Sequence, residues 1–110
     1  MNTMNAQQLK ERHNQGERLT LINTLSEDNY EKTKIPGSVN VPLEASDFEK
    51  RVEQVIGGKN QPVVVYCASA ECPSSDKAAK RLDEAGFTEV YDFEGGAKEW
   101  QEQGGQLATA

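Results

Sequence analysis

Histidine and cysteine are scarce in this sequence, and their scarcity argues against two common kinds of small protein. The 110 residues include one histidine and two cysteines, whereas a structural zinc site normally takes four Cys or His ligands. The one cysteine pair, Cys67 and Cys72, lies close together in sequence and would stabilise little as a disulfide. The sequence therefore predicts no metal and no other cofactor. In a reducing compartment, such a pair is more typical of catalysis or redox chemistry.

Basic clusters and long apolar runs are missing as well. Twelve Lys and Arg residues stand against eighteen Asp and Glu, which gives a net charge of −6 and makes nucleic acid a poor partner. The longest apolar run is far too short to cross a bilayer, and residues 1–8 lack the basic start and apolar core of a secretory signal. A soluble, cytoplasmic protein with neither a nucleic-acid nor a membrane partner is the expectation.

Helix and strand patterns alternate along the chain without repeats or linker-like segments, so a single domain over residues 1–110 is predicted. Strands are predicted at residues 19–22, 39–42, 63–66 and 90–93, and helices at residues 5–15, 26–32 (or a turn), 46–56, 73–85 and 95–103. Residues 46–49 have the spacing of a capping box. Such alternation predicts a parallel α/β sheet whose ligand site lies at the carboxyl ends of the strands.

Cys67 directly follows the most apolar predicted strand and precedes a predicted helix that begins near Pro73. Loop amides and the positive end of the helix dipole are expected to lower the pKa of this thiol and to stabilise a thiolate or a persulfide anion. Glu71 adds a negative charge, and no Lys or Arg lies in residues 67–75, which weakens the effect. The alternative is a small buried side chain without chemistry.

Several segments together resemble those of single-domain rhodanese-like proteins over about residues 5–105. They are Ile35-Pro36-Gly37-Ser38-Val39-Asn40-Val41-Pro42, Val63-Val64-Val65-Tyr66-Cys67, Lys77-Ala78-Ala79 with Leu82, Gly86-Phe87, Val90-Tyr91, and Glu94-Gly95-Gly96 with Trp100. The resemblance implies an α/β fold with a central five-stranded parallel sheet and helices on both faces, one strand more than the pattern predicts. It also implies that Cys67 is catalytic and carries sulfane sulfur as a persulfide. The implied active-site loop continues through Ala68, Ser69, Ala70, Glu71 and Cys72.

The loop departs from the family pattern, because Ala70 and Cys72 stand where many thiosulfate-using members have glycine and arginine. Thiosulfate is a dianion that needs positive charge or well-aimed hydrogen-bond donors, so it is expected to be a poor sulfur donor here. Cys72 has two interpretations. It is either a resolving thiol that attacks a persulfide or sulfenic acid on Cys67, or a packing residue at the helix start.

Three functions fit the sequence. The leading hypothesis is a sulfurtransferase that moves sulfane sulfur through Cys67, from a small sulfur donor to a thiol or other nucleophile on a small molecule or a protein. The alternatives are a redox protein that cycles Cys67 and Cys72 between dithiol and disulfide, and an inert rhodanese-like module that binds a protein partner. A phosphatase or arsenate reductase of the C-x5-R type is disfavoured, because Pro73 stands where the arginine is required.

Overall fold

Strands and helices alternate in the computed structural model, which describes residues 2–108. Within these residues the strands are β1 (Asn2–Thr3), β2 (Thr20–Asn23), β3 (Val39–Asn40), β4 (Val63–Tyr66) and β5 (Val90–Phe93), and the helices are α1 (Ala6–Asn14), α2 (Glu27–Thr33), α3 (Phe48–Ile56), α4 (Ser74–Glu84) and α5 (Gly96–Glu102). The strands form one parallel sheet in the order β1-β5-β4-β2-β3. The α/β class and the five-stranded sheet are confirmed.

Strand β4 lies at the centre of the sheet, and its four side chains are fully buried. Successive side chains of a strand point to opposite faces, so Val63 and Val65 join one apolar cluster while Val64 and Tyr66 join the other. This burial on both faces explains why the strand is a continuous apolar run rather than an alternating one.

Helices cover both faces of the sheet, as the resemblance implies. Helices α3 and α4 contribute Phe48, Val52, Ala78, Ala79 and Leu82 to the first cluster, and helices α1 and α5 contribute Ala6, Leu9 and Ala97 to the second. We call these the α3/α4 face and the α1/α5 face. None of the helices in residues 2–108 is long and apolar enough to cross a membrane.

The predicted capping box at residues 46–49 is wrong. Asp47, not Ser46, is the N-cap of α3, and no capping hydrogen bond from its side chain is formed. Its carboxylate instead forms an ion pair with Arg51, one helical turn further on, at 2.9 Å. A genuine capping box lies at α1, where the side chains of Asn5 and Gln8 each accept a hydrogen bond from the other's backbone N–H.

Helix α4 spans Ser74–Glu84, one residue shorter at each end than the predicted helix 73–85, and Ala85 is its C-cap, followed by the predicted stop at Gly86-Phe87. Gly86 adopts a φ of 96°, a left-handed conformation that glycine enters without steric cost. The next residue, Phe87, donates its N–H to the Leu82 carbonyl at 3.1 Å and buries its ring in the core of the α3/α4 face. This is an apolar lock of the kind that accompanies glycine C-caps.

Candidate active site

The cysteine loop, which we define as residues 67–73, connects the end of β4 to the start of α4. Strands β2 and β5 pair with β4 on either side, so the loop emerges at the centre of the carboxyl edge of the sheet. In open parallel sheets this edge is the usual position of ligand sites. The predicted placement of Cys67 at the end of a central strand is therefore confirmed.

Helix α5 holds the beginning of the loop through its first backbone amides. Ala97 donates its N–H to the Cys67 carbonyl at 3.0 Å, and Lys98 donates to the Ala68 carbonyl at 2.9 Å. A Cβ on Gly96 would overlap the Cys67 carbonyl oxygen, and the φ of this residue is 60°. Glycine is therefore required here twice over, for its backbone conformation and for the close approach of two chain segments. This explains part of the Glu94-Gly95-Gly96 segment on which the family resemblance rests.

The Cys67 side chain is buried at the base of the loop. Its thiol lies 3.3 Å from the Cys72 carbonyl oxygen, 3.7 Å from the Ser69 carbonyl oxygen and 3.7 Å from Ser75 Oγ. Burial raises the pKa of the Cys67 thiol and the neighbouring Cys72 thiol raises it further, while the backbone N–H and hydroxyl of Ser75 lower it. The net shift is upward, so the predicted fall in this pKa is wrong. The helix start does stabilise the thiolate, but the cost of burying the charge is larger.

Cys72 is the more accessible of the two thiols, and the pKa of its thiol shifts in the opposite direction. Burial raises this pKa, but hydrogen bonds with the Cys67 side chain, with the backbone and hydroxyl of Ser74, and with the Ala68 backbone together bring it below its ordinary value. Both cysteines are free thiols. The loop therefore holds two thiols, one buried and one more accessible, each of which shifts the pKa of the other.

The rest of the loop is more exposed, and its electrostatic surroundings are acidic. Ala68, Ser69 and Cys72 are half-buried, and Ala70 and Glu71 are exposed. A shallow cavity of about 170 Å³ lies beside Ala70 and Glu71, and α5 lines it with Lys98, Glu99 and Glu102. Lys98 thus places a cation beside the loop, although residues 67–75 themselves contain neither Lys nor Arg. Three carboxylates share the cavity with this one ammonium group.

A second, larger cavity lies on the other side of the loop. It has a volume of about 480 Å³, and its lining includes Thr24 and Leu25 beyond the end of β2, together with Ser74 and Lys77 of α4. Ser74 also lowers the pKa of the Cys72 thiol. None of residues 67–73 lines this cavity, so it lies beside the start of α4 rather than at either thiol.

Two buried residues near Cys67 were missed by sequence reasoning. Ser75, in the first turn of α4, is 2% exposed, and Asp92, in β5, is 1% exposed. The available signal was an acidic residue in an otherwise apolar predicted strand, Val90-Tyr91-Asp92-Phe93. His13, the single histidine, lines a cavity of about 370 Å³ that also involves Trp100 and belongs to the α1/α5 face, apart from the cysteine loop.

Comparison with known proteins defines the class of this chain. The model of the rhodanese-like domain matches residues 5–103, so the chain belongs to the rhodanese-like family. A solution structure of the rhodanese-like domain of the Alr3790 protein from Anabaena has the same fold, with a TM-score of 0.83 and 27% sequence identity, over 100% of this chain and 80% of that one.

Two curated relatives carry names from sulfur chemistry. The putative sulfur carrier protein YrkF of Bacillus subtilis is 29% identical over 83% of this chain and 46% of its own length. The thiosulfate sulfurtransferase GlpE of Coxiella burnetii is 27% identical over 76% of this chain and 72% of its own length. Across the first three curated relatives, the match covers 39% to 59% of the relative's length. The chain thus has distant relatives among sulfurtransferases.

Proposed function

We propose that this protein is a sulfurtransferase that carries sulfane sulfur as a persulfide on Cys67. The observation that carries the proposal is a buried cysteine at the carboxyl end of the central strand, at the base of a loop that leads into a helix N-terminus. The Ser75 N–H in the first turn of that helix stabilises negative charge on the sulfur. The rhodanese-like family and its sulfurtransferase members support the same chemistry.

The proposed reaction has two balanced transfers. In the first, the Cys67 thiolate attacks the outer sulfur of a donor persulfide, R–S–SH, the S–S bond of the donor breaks, and the donor leaves as a thiolate. In the second, the thiolate of an acceptor attacks the outer sulfur of the Cys67 persulfide, and Cys67 leaves as the thiolate with which it began. The acceptor is a thiol on a small molecule or a protein.

The donor we favour is a persulfide rather than thiosulfate. Glu71 is exposed at the loop surface, and the cavity beside it contains three carboxylates and the single cation Lys98. A dianion entering this cavity meets net repulsion, whereas a persulfide carries at most one negative charge at its sulfur.

A second function is favoured by the closeness of the two cysteines, since the Cys67 thiol lies 3.3 Å from the Cys72 carbonyl oxygen. In this function the Cys72 thiolate attacks the inner sulfur of a Cys67 persulfide, a Cys67–Cys72 disulfide forms, and hydrosulfide leaves. An external dithiol must then reduce the disulfide, taking the role of electron donor. Cys72 is then a resolving thiol, and the protein releases its sulfur instead of passing it on.

Intact-mass analysis of protein purified without reductant tests both functions. Sulfur transfer predicts an added sulfur atom that cyanide removes and that Cys67→Ser lacks, while Cys72→Ser keeps it. The resolving function predicts that treatment with a persulfide donor gives a species two hydrogens lighter, which both cysteine variants lack. Protein that gains no sulfur from a persulfide donor and shows no reactive thiol contradicts both functions and supports an inert binding module.

A further inference from the structure

Asp92 is a buried carboxyl that the proposed reaction does not use. It lies in β5, opposite Val65 of β4, and its side chain shares the face of the sheet that α3 and α4 cover. Both carboxyl oxygens are fully buried, and within residues 2–108 neither has a hydrogen-bond partner of normal geometry. Burying such a group without partners costs free energy. A carboxyl at this place therefore needs an explanation beyond packing.

Ser75 connects this carboxyl to the thiol of the loop. Its Oγ lies 3.7 Å from Cys67 Sγ, and the contact is buried. Helix α4, which carries Ser75, packs against β5, and the Ser75 hydroxyl lowers the pKa of the Asp92 carboxyl, although burial raises that pKa by more. A serine hydroxyl has a single proton to donate. Ser75 can therefore donate to the thiolate of Cys67 or to the carboxylate of Asp92, but not to both at once.

We propose that Asp92 is a positioning residue that controls the ionisation of Cys67 through the hydroxyl of Ser75. When Asp92 is ionised, Ser75 donates to its carboxylate and Cys67 keeps its proton. When Asp92 is protonated, its own O–H donates to Ser75 Oγ, and the Ser75 proton turns to the thiolate of Cys67. The three groups then hold one negative charge, on the carboxylate or on the sulfur. The significance for sulfur transfer rests on the proposed function of Cys67, but the coupling itself does not.

Burial and the neighbouring charges raise the pKa of the Asp92 carboxyl. Burial raises the pKa of the Asp92 carboxyl most, and the negative charges of Glu94 and Asp76 raise it further. Asp76 belongs to α4 and pairs with Lys80, and the neighbouring strand β1 contributes Asn2 and Thr3, which do not titrate. From the side of β4, the titratable group is Cys67, with Cys72 beyond it in the loop. Among the described residues, the charges that act on the carboxyl are therefore the negative charges of Glu94 and of the Asp76 that pairs with Lys80.

The test is the pH dependence of Cys67 alkylation by iodoacetamide, measured in a Cys72→Ser background so that one thiol reacts. Asp92→Asn is neutral at every pH, and its amide can donate to Ser75 Oγ. It should react about tenfold faster than the background protein near neutral pH, which corresponds to a fall of about one unit in the thiol pKa. The two profiles should converge at acidic pH, where Asp92 itself is protonated.

Two further variants separate the relay through Ser75 from a general charge effect. Glu94→Gln removes an exposed charge near Asp92 without touching Ser75, and should change the rate by less than about twofold because water and salt screen it. In the Asp92→Asn protein the Ser75 hydroxyl is free to donate to the thiolate, so adding Ser75→Ala should slow alkylation and reduce the effect of Asp92→Asn, whereas adding Ser75→Thr, which keeps the hydroxyl, should preserve that effect.

Three results would overturn the proposal. The first is that Asp92→Asn and Glu94→Gln have equal alkylation rates at every pH. The second is that the rates of Asp92→Asn and the background protein differ by the same factor at every pH. The third is that Asp92→Asn has the same effect on the rate after Ser75 is removed. Should Asp92→Asn fail to fold, the pH profiles of Ser75→Ala and Ser75→Thr still test the relay. The proposal requires Ser75→Ala to slow alkylation at acidic pH, where Asp92 is protonated, and much less near neutral pH, where Ser75 donates to the carboxylate, while Ser75→Thr shows neither loss. Alkylation needs no sulfur donor, so failure of sulfur transfer and failure of this coupling are distinguishable.

Discussion

The two faces of the sheet treat a buried polar side chain in opposite ways. On the α1/α5 face, the Tyr66 hydroxyl accepts a hydrogen bond from the Ile35 N–H at 3.0 Å and lies 2.9 Å from Ser38 Oγ. On the α3/α4 face, Asp92 is equally buried, but its oxygens have no partner of normal geometry in the described chain. The satisfied group stabilises a loop, whereas the unsatisfied one lies beside the candidate nucleophile.

The difference distinguishes a buried polar group that only stabilises the structure from one whose protonation state can change. The Tyr66 hydroxyl joins β4 to the segment after α2, through Ile35 and the Thr33 carbonyl. Burial raises the pKa of its phenol further above the physiological range, so its protonation does not change. Burial raises the pKa of the Asp92 carboxyl from its low ordinary value toward that range. Of these two buried groups, the one whose protonation can change near neutral pH is thus the Asp92 carboxyl, on the strand next to β4.

The largest expected effect comes from substituting, one at a time, Tyr66 at the end of β4 and Cys67, which follows it. Cys67→Ser should abolish sulfur transfer and leave the free energy of unfolding within about 1 kcal/mol of the wild-type value, because the hydroxyl can replace the thiol as a donor to the Cys72 carbonyl. Tyr66→Phe should do the reverse and cost about 1–3 kcal/mol, because the Ile35 N–H loses its partner. Transfer assays and urea unfolding measure both effects. Full transfer activity in Cys67→Ser would remove Cys67 from the reaction.

The next effect concerns the contact that fixes the loop to α5. Gly96→Ala should destabilise the protein by about 3 kcal/mol, because it adds a steric overlap with the Cys67 carbonyl to the cost of a left-handed conformation. Gly104→Ala is the matched control, because Gly104 has a φ of 86° and no atom lies within 4 Å of an added Cβ. It should cost about 1–2 kcal/mol, from the conformation alone. Equal losses in denaturant unfolding would mean that the close approach at Gly96 is unimportant.

A smaller effect, on the pH dependence of the free energy of unfolding, tests whether Asp92 differs from Tyr66 in being able to change its protonation state. A carboxyl with a higher pKa in the folded state binds its proton more tightly there, so the free energy of unfolding falls as pH rises from the unfolded value of about 3.9 through the raised folded pKa. Asp92→Asn should remove that decline, each unit of pKa being worth about 1.4 kcal/mol. Urea unfolding between mildly acidic and neutral pH gives the difference curve. Parallel curves for the two proteins would show that Asp92 has no raised pKa.

Features of the molecule that depend on local pattern could be predicted from the sequence. The apolar run at β4, the glycine-terminated helix α4 and the cysteine at the strand end are each encoded within a few neighbouring residues. Strand β1 could not be predicted from local pattern, because Asn2 and Thr3 are polar and exposed at the edge of the sheet. It becomes a strand through pairing with β5, whose partner residues lie 89 positions further along the chain, and no local signal encodes such a partner.

The electrostatics of the site were less predictable than its position. The fall expected in the Cys67 pKa followed from the helix start, and the Ser75 N–H does act in that direction. Burial raises the pKa by more, so the net shift is upward, and the burial depends on how Phe48, Ala78 and their neighbours pack over the sheet. Asp92 comes within reach of Ser75 only because α4 packs against β5. The pattern thus predicts where the thiol lies, and tertiary packing determines how readily it ionises.

The smallest effect concerns the charge of the loop surface. Glu71→Arg should lower the KM for thiosulfate about fivefold, because the dianion would meet two cations and two carboxylates in the cavity instead of one cation and three carboxylates. Glu84→Arg makes the same charge change at the exposed far end of α4 and should leave the KM nearly unchanged. The improvement should shrink as ionic strength rises, because salt screens exposed charges. If both variants respond equally, or the gain persists at high salt, the local charge of the cavity is not what limits thiosulfate. The missing arginine of the loop would then matter for its hydrogen-bond geometry rather than for its charge.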